Sequence, residues 1–234
     1  MEVAEIEAPA RTTTVKVAPP QPVSSSTAPA KRATKPKYMR PISRILIAVA
    51  ALAMGIMLWQ PIWRIDLWAP QYPEGLVLQI YHDTFTGNVD QINGLNHYIG
   101  MAKIENAMFP EFAIMRYAIG LLIGGGVIAA LIGRRWALGG WIFTLLAFVI
   151  WAMWDMYSWG YKYGHNLDPH AAIKVEGMAY QPPLLGHKTL LNFEAWSLPD
   201  VGGFVLFGSI TIGVLVLYYE WRRHERAQAA AVRK

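Results

Sequence analysis

The chain has 234 residues, of which 54% are hydrophobic and only 16% are charged, and its formal net charge is +5. So many apolar residues with so few charges are not the composition of an ordinary water-soluble protein. The sequence contains no cysteine, which excludes disulfides, thiolate metal sites, cysteine nucleophiles and covalent c-type haem attachment.

Residues 1–38 form a polar segment rich in Ala, Pro, Thr, Ser and Val. The segment has no helical or strand period, which predicts a disordered cytoplasmic tail. The apolar run that follows shows no clear small-residue cleavage site. We therefore interpret this run as an uncleaved membrane anchor and not as a signal peptide.

Four apolar segments follow, each close to the roughly 20 residues that span a bilayer. The predicted transmembrane helices are residues 42–62, 112–132, 136–156 and 201–219. The first is the shortest in its uncharged core, and the second holds only Arg116 as a charge. The sequence thus predicts an all-α membrane protein of four transmembrane helices.

Basic residues indicate the orientation of these helices, because Lys and Arg resist translocation. They precede the first helix, form the turn Arg134-Arg135, and recur in the C-terminal tail of residues 220–234. With four spans all three clusters fall on one side, so both termini are predicted to be cytoplasmic. The outer segments then carry a net charge of about −5 and the inner segments about +10. Topology and contact with lipid headgroups account for the basic character better than nucleic-acid binding does.

The two outer loops, residues 63–111 and 157–200, are together long enough for a small mixed α/β periplasmic cap. Residues 76–81 are predicted to form a strand. Residues 89–102 are predicted to form a helix with Asp90 as its cap. On that helix His97 and Met101 would be i and i+4, and neighbours on one face could bind a single ion.

The outer loops are also where the possible metal ligands lie. Imidazole with thioether suits copper, particularly Cu(I), whereas imidazole with carboxylate also suits Cu(II) or zinc. The alternative is that these side chains only pack or form hydrogen bonds. The candidates are His82, His97, His165, His170, His187, Met101, Met108, Met178, Asp83, Asp90 and Asp168.

Other patterns are weaker guides to function. No Gly-rich phosphate loop, nucleophile elbow or zinc-protease helix occurs, so an enzyme is not the favoured class. Asp155, at the outer end of the third span, either marks a proton path or pairs with Lys162, Lys103 or Arg116. We favour the ion pair.

Glycines and tryptophans in and near the spans are assigned structural roles. Small-residue faces for close helix contact are expected at six glycines of the second and third spans. Tryptophans near the ends of the spans are interpreted as an interfacial belt. The glycines are Gly120, Gly124, Gly125, Gly126, Gly139 and Gly140, and the tryptophans are Trp59, Trp63, Trp136, Trp141, Trp151, Trp154, Trp159 and Trp221.

Several outer motifs resemble a family of small bacterial membrane proteins encoded beside nitrous oxide reductase and its copper-maturation genes. The similarity covers about residues 45–219 and leaves out the N-terminal tail. One departure is Glu176, where the family often has proline. The motifs are residues 69–76 (APQYPEGL), 95–101 (LNHYIGM), 163–169 (YGHNLDP), 173–175 (IKV), 177–178 (GM), 180–183 (YQPP) and 191–193 (LNF).

The resemblance implies a multi-pass protein of the bacterial cytoplasmic membrane that works in denitrification. Nitrous oxide reductase is a copper enzyme outside that membrane. The implied role is an accessory one. The protein would bind or deliver copper for maturation of the reductase, or it would dock the reductase and its maturation factors. The ligands would be His97, Met101, His165, Asp168 and Met178. The alternatives are an assembly subunit without a metal and a quinol-linked electron-transfer subunit.

Overall fold

The computed structural model describes residues 37–173, 177, 179–190 and 192–232. The predicted tail of residues 1–38 therefore lies almost wholly outside the described residues, and so does Met178. Five helices are described: α1 (Pro41–Ala53), α2 (Val89–Ile99), α3 (Glu111–Ile132), α4 (Arg135–His165) and α5 (Val201–Val232). Five strands accompany them: β1 (Trp63–Ala69), β2 (Tyr72–Ile80), β3 (Phe85–Gly87), β4 (Gly186–Leu190) and β5 (Phe193–Pro199).

Four of these helices are long and apolar enough to cross a membrane: α1 with its 3₁₀ extension to Leu58, α3, α4 and α5. The predicted number of spans is thus confirmed by length and composition. Large apolar side chains are exposed along their outward faces, among them Leu121 at 71% and Phe143 at 73%. Contiguous apolar surface of this kind is unfavourable in water, so these faces are suited to lipid. Helix α4 continues to His165, past the predicted end of the third span.

The beginning of α1 and the end of α3 are joined at one end of the bundle. The Met39 amide donates a hydrogen bond to the Gly133 carbonyl over 2.7 Å. Arg44 donates from Nε to the Ala130 carbonyl over 2.7 Å and from Nη2 to the Leu131 carbonyl over 2.9 Å. A basic side chain on these carbonyls satisfies acceptors that the helix itself leaves unpaired.

Helix α5 is tied to the same end through Glu220, which is only 3% exposed. Its Oε1 accepts hydrogen bonds from the Arg40 amide (3.0 Å) and from Ser43 Oγ (2.6 Å), and Arg223 pairs with Oε2 at 3.1 Å. The basic flanks of α1, α3 and α5 therefore meet at one end of the bundle, as the orientation argument requires. We call it the basic end.

Close contact in the bundle centres on Gly126 of α3. A Cβ there would lie 2.5 Å from Ala51 Cβ and 2.7 Å from the Trp141 ring, whereas Gly120 and Gly124 have nothing within 4 Å. Trp141 is buried and donates from Nε1 to the Leu122 carbonyl over 2.9 Å. The belt interpretation is therefore wrong for Trp141, because its indole fills the space that the glycine leaves.

The all-α prediction is wrong. At the opposite end of the bundle the outer segments form a five-stranded antiparallel sheet in the order β3-β2-β1-β5-β4. The protein is therefore mixed α/β. Strand β1 pairs with β2 of its own segment and with β5 of the other, so the two outer segments share one sheet. We call this sheet with α2 the cap.

The inner face of the cap is apolar. Trp63, Ile65, Leu76 and Leu78 are buried there together with Ile92 of α2. Trp63, expected in the interfacial belt, donates from Nε1 to Ser197 Oγ of β5 over 2.8 Å. Buried and exposed residues alternate along the middle of β5, and buried and half-buried residues alternate over the first four residues of β1, which is the pattern of a half-buried sheet.

The cap is joined to the bundle without an intervening linker. The Asp200 amide donates to the Ile62 carbonyl over 3.1 Å, and the Gly202 amide donates to the Pro61 carbonyl over 2.8 Å. A Cβ at Gly203 would lie 2.5 Å from the Ile62 oxygen. The chain entering β1 and the chain leaving β5 are thus held against each other where the sheet meets α5.

Replacing Gly126 with alanine is expected to destabilise the bundle, because the new Cβ would overlap both Ala51 and Trp141. Overpacking of this kind costs about 1–3 kcal/mol. The matched control is Gly120→Ala, where open space and the better helix propensity of alanine predict no loss. Thermal unfolding in detergent should show a lower midpoint for Gly126→Ala alone. Equal midpoints for the two variants would contradict the packing described.

Candidate functional site

The cap brings two outer motifs together through their backbones. They are residues 95–101, which contain His97, and residues 163–173, which contain His165, and we call them the two histidine motifs. The Asp168 amide donates to the Gly100 carbonyl over 2.8 Å, and the Ile173 amide donates to the Tyr98 carbonyl over 2.9 Å. Gly100 ends α2 in the left-handed conformation, with φ of 79°. A Cβ there would lie 2.9 Å from both the Asp168 nitrogen and Ala171 Cβ. Glycine is required at this junction by its conformation and by the close approach of the second segment.

The second motif begins on the last turn of α4. The Gly164 carbonyl accepts a hydrogen bond from the Tyr180 amide over 2.9 Å. Any Cβ at Gly164 would overlap the backbone of Gln181. The end of α4 is therefore clamped by the segment that leads into β4.

His165 is exposed and held in one orientation. Its ring stacks on Tyr161 with centroids 3.9 Å apart, and Nδ1 lies 3.0 Å from the Tyr161 carbonyl. A carbonyl oxygen only accepts, so Nδ1 carries the proton and Nε2 keeps its lone pair. This tautomer, fixed by a backbone carbonyl, is the usual arrangement of a histidine that ligates a metal through Nε2.

His97 and Met101 do not share a helical face. Helix α2 ends at Ile99, and the left-handed Gly100 turns the chain before Met101 is reached. His97 is exposed on the last turn of α2, with its ring 6.2 Å from that of Tyr98. Met101 is half-buried and lines a cavity under the sheet. The expected i, i+4 pair is therefore not formed.

Asp168 is exposed and helps to form the turn that follows it. Its Oδ1 accepts a hydrogen bond from the His170 amide over 2.8 Å, and its carbonyl accepts from the Ala171 amide over 3.2 Å. One carboxylate oxygen is thus committed to the backbone. The sequence allows Asp168 to be a metal ligand or a turn residue, and the turn is present.

Two other histidines of the cap, His82 and His187, lie near acidic side chains. His82 Nε2 lies 3.5 Å from Asp83 Oδ2. His187 Nε2 lies 3.8 Å from Glu194 Oε2, and its ring packs on Trp196 at 4.8 Å. Among the described residues no group of three or more His, Asp or Glu side chains is close enough to hold a metal ion. A site of histidine and methionine that includes Met178 stays a prediction.

A second candidate site, which the sequence did not indicate, lies between the cap and the bundle. It is a cavity of about 230 Å³ lined almost wholly by apolar side chains from β1, β2, β3, residues 101–109, the start of α3, the outer half of α4 and residues 181–184. Two carboxyl groups, those of Glu111 and Asp155, belong to its wall. The lining comes from segments spread between residues 62 and 184, so no local pattern could have revealed it.

The carboxyl groups in the cavity wall interact with each other. Asp155 forms a side-chain hydrogen bond with Glu111, whereas Lys162 acts on it only through its charge. Among the described residues Asp155 forms no ion pair within 4 Å, so the favoured ion pair with Lys162, Lys103 or Arg116 is not formed and the close neighbour is instead an acid. Glu111 Oε1 accepts a hydrogen bond from Trp159 Nε1 over 3.3 Å. Glu111 Oε2 is buried and accepts no hydrogen bond from an N–H or hydroxyl group of the described residues.

These features define a class: a multi-pass membrane protein of four helices, with a mixed α/β cap assembled from both outer segments. No protein-family model, curated protein or solved structure matches the chain.

Replacing Gly100 with alanine is expected to separate the two motifs. A left-handed conformation costs a non-glycine residue roughly 1–2 kcal/mol, and the new Cβ would also press on Asp168. Amide hydrogen exchange in residues 166–173 should become faster. The matched control is Gly94→Ala in the same helix, where a Cβ meets nothing within 4 Å. Unchanged exchange in Gly100→Ala would contradict the junction.

Proposed function

We propose that the protein is an accessory protein of the bacterial cytoplasmic membrane that binds copper at its outer surface and delivers it to nitrous oxide reductase during maturation. The observation that supports this proposal is the junction of the two histidine motifs in the cap. Backbone hydrogen bonds join residues 98–100 to residues 168–173, and each motif contributes an exposed imidazole, His97 or His165.

Exposure matters for a protein that passes its metal on. A metal centre buried in a closed shell of ligands holds its ion, whereas transfer requires a partner's ligands to reach the ion while it is still bound. The hydrogen bond from His165 Nδ1 to the Tyr161 carbonyl fixes the direction of the Nε2 lone pair. That lone pair is not used for packing. This nitrogen is therefore the first ligand in the proposal, and His97 is the second.

The further ligands proposed are Met101, Asp168 and Met178. Thioether sulfur beside imidazole favours Cu(I) over hard cations, and a carboxylate would favour Cu(II). Asp168 keeps one carboxylate oxygen outside its turn hydrogen bond. Met101 directly follows the junction residue Gly100, and its side chain lines the cavity under the sheet.

The identity of the recipient rests on the resemblance of the outer motifs to proteins encoded beside nitrous oxide reductase. In this proposal the four apolar helices hold the cap at the membrane surface, on the side where the copper enzyme is matured. The protein carries out no reaction itself. A docking role without metal, for the reductase or its maturation factors, is the alternative that an absence of copper binding would favour.

The test is Cu(I) binding by the detergent-purified protein, measured by competition with a chromogenic chelator. Wild type is expected to bind one equivalent. Changing His97 and His165 together to alanine is expected to weaken binding by at least about tenfold, because both imidazole ligands are lost. The matched control is His187→Ala, which removes another exposed histidine of the cap and should bind as wild type does.

Size-exclusion chromatography and circular dichroism establish that each variant is folded. A folded wild type that binds no stoichiometric copper would overturn the metal part of the proposal. So would a folded double variant with unchanged affinity.

A further inference from the structure

The cavity between the cap and the bundle points to a second ligand, of a different chemical class from copper. We propose that this cavity binds the ring of a quinol-type lipid, an aromatic ring with hydroxyl groups and an apolar tail. Four properties of the cavity support this ligand class: its size, the aromatic chemistry of its wall, the Glu111–Asp155 carboxyl pair with its excess of acceptor oxygens, and its position beside the lipid-facing surface.

Size sets the first limit. An engineered protein cavity of about 150 Å³ takes up benzene, so a cavity of about 230 Å³ holds one ring with a few small substituents. A long tail does not fit in the same space and has to leave it. Trp151 lines the cavity and is also 39% exposed on the apolar outer surface of α4, so the cavity borders the surface that faces lipid.

The wall favours a flat ring. Aromatic side chains from β3, the start of α3 and the outer half of α4 pack against one another beside the cavity. Phe109 lies 4.5 Å from Trp159 and 4.7 Å from Phe85, measured between ring centroids. Offset and edge-to-face contacts with such rings are worth about 0.5–1.5 kcal/mol beyond simple burial. An aliphatic chain gains the burial but not these contacts.

Glu111 supplies the specificity for a hydroxyl group. Its Oε1 is engaged by Trp159 (3.3 Å), its Oε2 is buried and accepts from no N–H or hydroxyl group of the described residues, and its carboxyl group is hydrogen-bonded to that of Asp155. Two carboxyl groups hydrogen-bond to each other through one shared proton, so the pair has more buried acceptor oxygens than donors. Such unpaired acceptors are costly, and a hydroxyl donor from a ligand would satisfy one of them. Lys162 already provides a cation near Asp155, so the oxygen requires a neutral donor and not a second positive charge.

The same carboxyl groups argue against a phospholipid headgroup. A phosphate placed beside Glu111 and Asp155 would be repelled by the negative charge of the pair, and Coulomb repulsion is strong where water is excluded. A quinol ring is uncharged and carries hydroxyl donors, so it satisfies the acceptor without this penalty. The occupant that meets all four constraints is therefore a quinol-type lipid.

The test uses decylubiquinol, a short-tailed quinol, with the full chain in lipid nanodiscs, and follows quenching of tryptophan fluorescence. Wild type is expected to show saturable one-to-one quenching. The dimethyl ether of the same quinol, which has no donor, should bind roughly tenfold or more weakly, as expected for the loss of a hydrogen bond to a charged group.

Two variants and two matched controls locate the site. Glu111→Met removes the acceptor at similar size and should weaken quinol binding to the level of the ether, whereas Glu105→Met changes an exposed acid nearby and should not. Ala152→Phe places a ring inside the cavity and should abolish binding. Ala147→Phe adds the same ring on the exposed side of α4 and should leave binding unchanged.

Equal affinity for the quinol and its dimethyl ether would overturn the proposal. It would show that any apolar molecule fills the cavity. Quenching that never saturates, or saturable binding that Glu111→Met and Ala152→Phe both leave unchanged, would also overturn it. Circular dichroism confirms the fold of each variant, and Glu111→Met decides the question if Ala152→Phe does not fold.

Discussion

The pairing of β1 with β5 is the constraint on which the rest of the structure depends. Six residue pairs, from Trp63 with Pro199 to Trp68 with Glu194, join the two outer segments in one antiparallel register. Because β1 follows α1 and β5 precedes α5, this pairing fixes the outer ends of both helices. It also completes the sheet whose inner face covers the cavity. Without it the outer segments would be two separate loops, and neither the histidine junction nor the cavity would form.

The two ends of the bundle are stabilised in different ways. At the basic end, polar groups connect helices: Arg44 satisfies carbonyls at the end of α3, and Glu220 joins α5 to the start of α1. At the cap end, burial of apolar residues such as Trp63 and Leu78 is the main contribution. The polar contacts define which helices are neighbours, whereas the apolar contacts hold the cap against the membrane helices. The candidate sites lie at the cap end, where the two outer segments meet.

The sequence predicts the four apolar helices well, because length, hydropathy and the placement of Lys and Arg are local properties. It predicts β2 and α2 approximately and misses β1, β3, β4 and β5. Those strands are short, and their identity depends on partners far along the chain: Ile65 is buried because Ser197 and Leu78 lie on either side of it. For the same reason the sequence indicates His97 and His165 as candidates but not their junction. It misses Glu111, whose significance comes only from the cavity around it.

The most direct test of this account is disulfide trapping of the β1–β5 pairing in membranes, since the chain has no cysteine of its own. Changing Trp68 and Glu194, an exposed cross-strand pair, both to cysteine should give rapid oxidation to an intramolecular disulfide. Trp68→Cys with Leu198→Cys should not react, because Leu198 pairs with Arg64 instead and lies roughly 13 Å further along the strand. Failure of the first pair to oxidise, or equal oxidation of both, would contradict a cap built from the two outer segments.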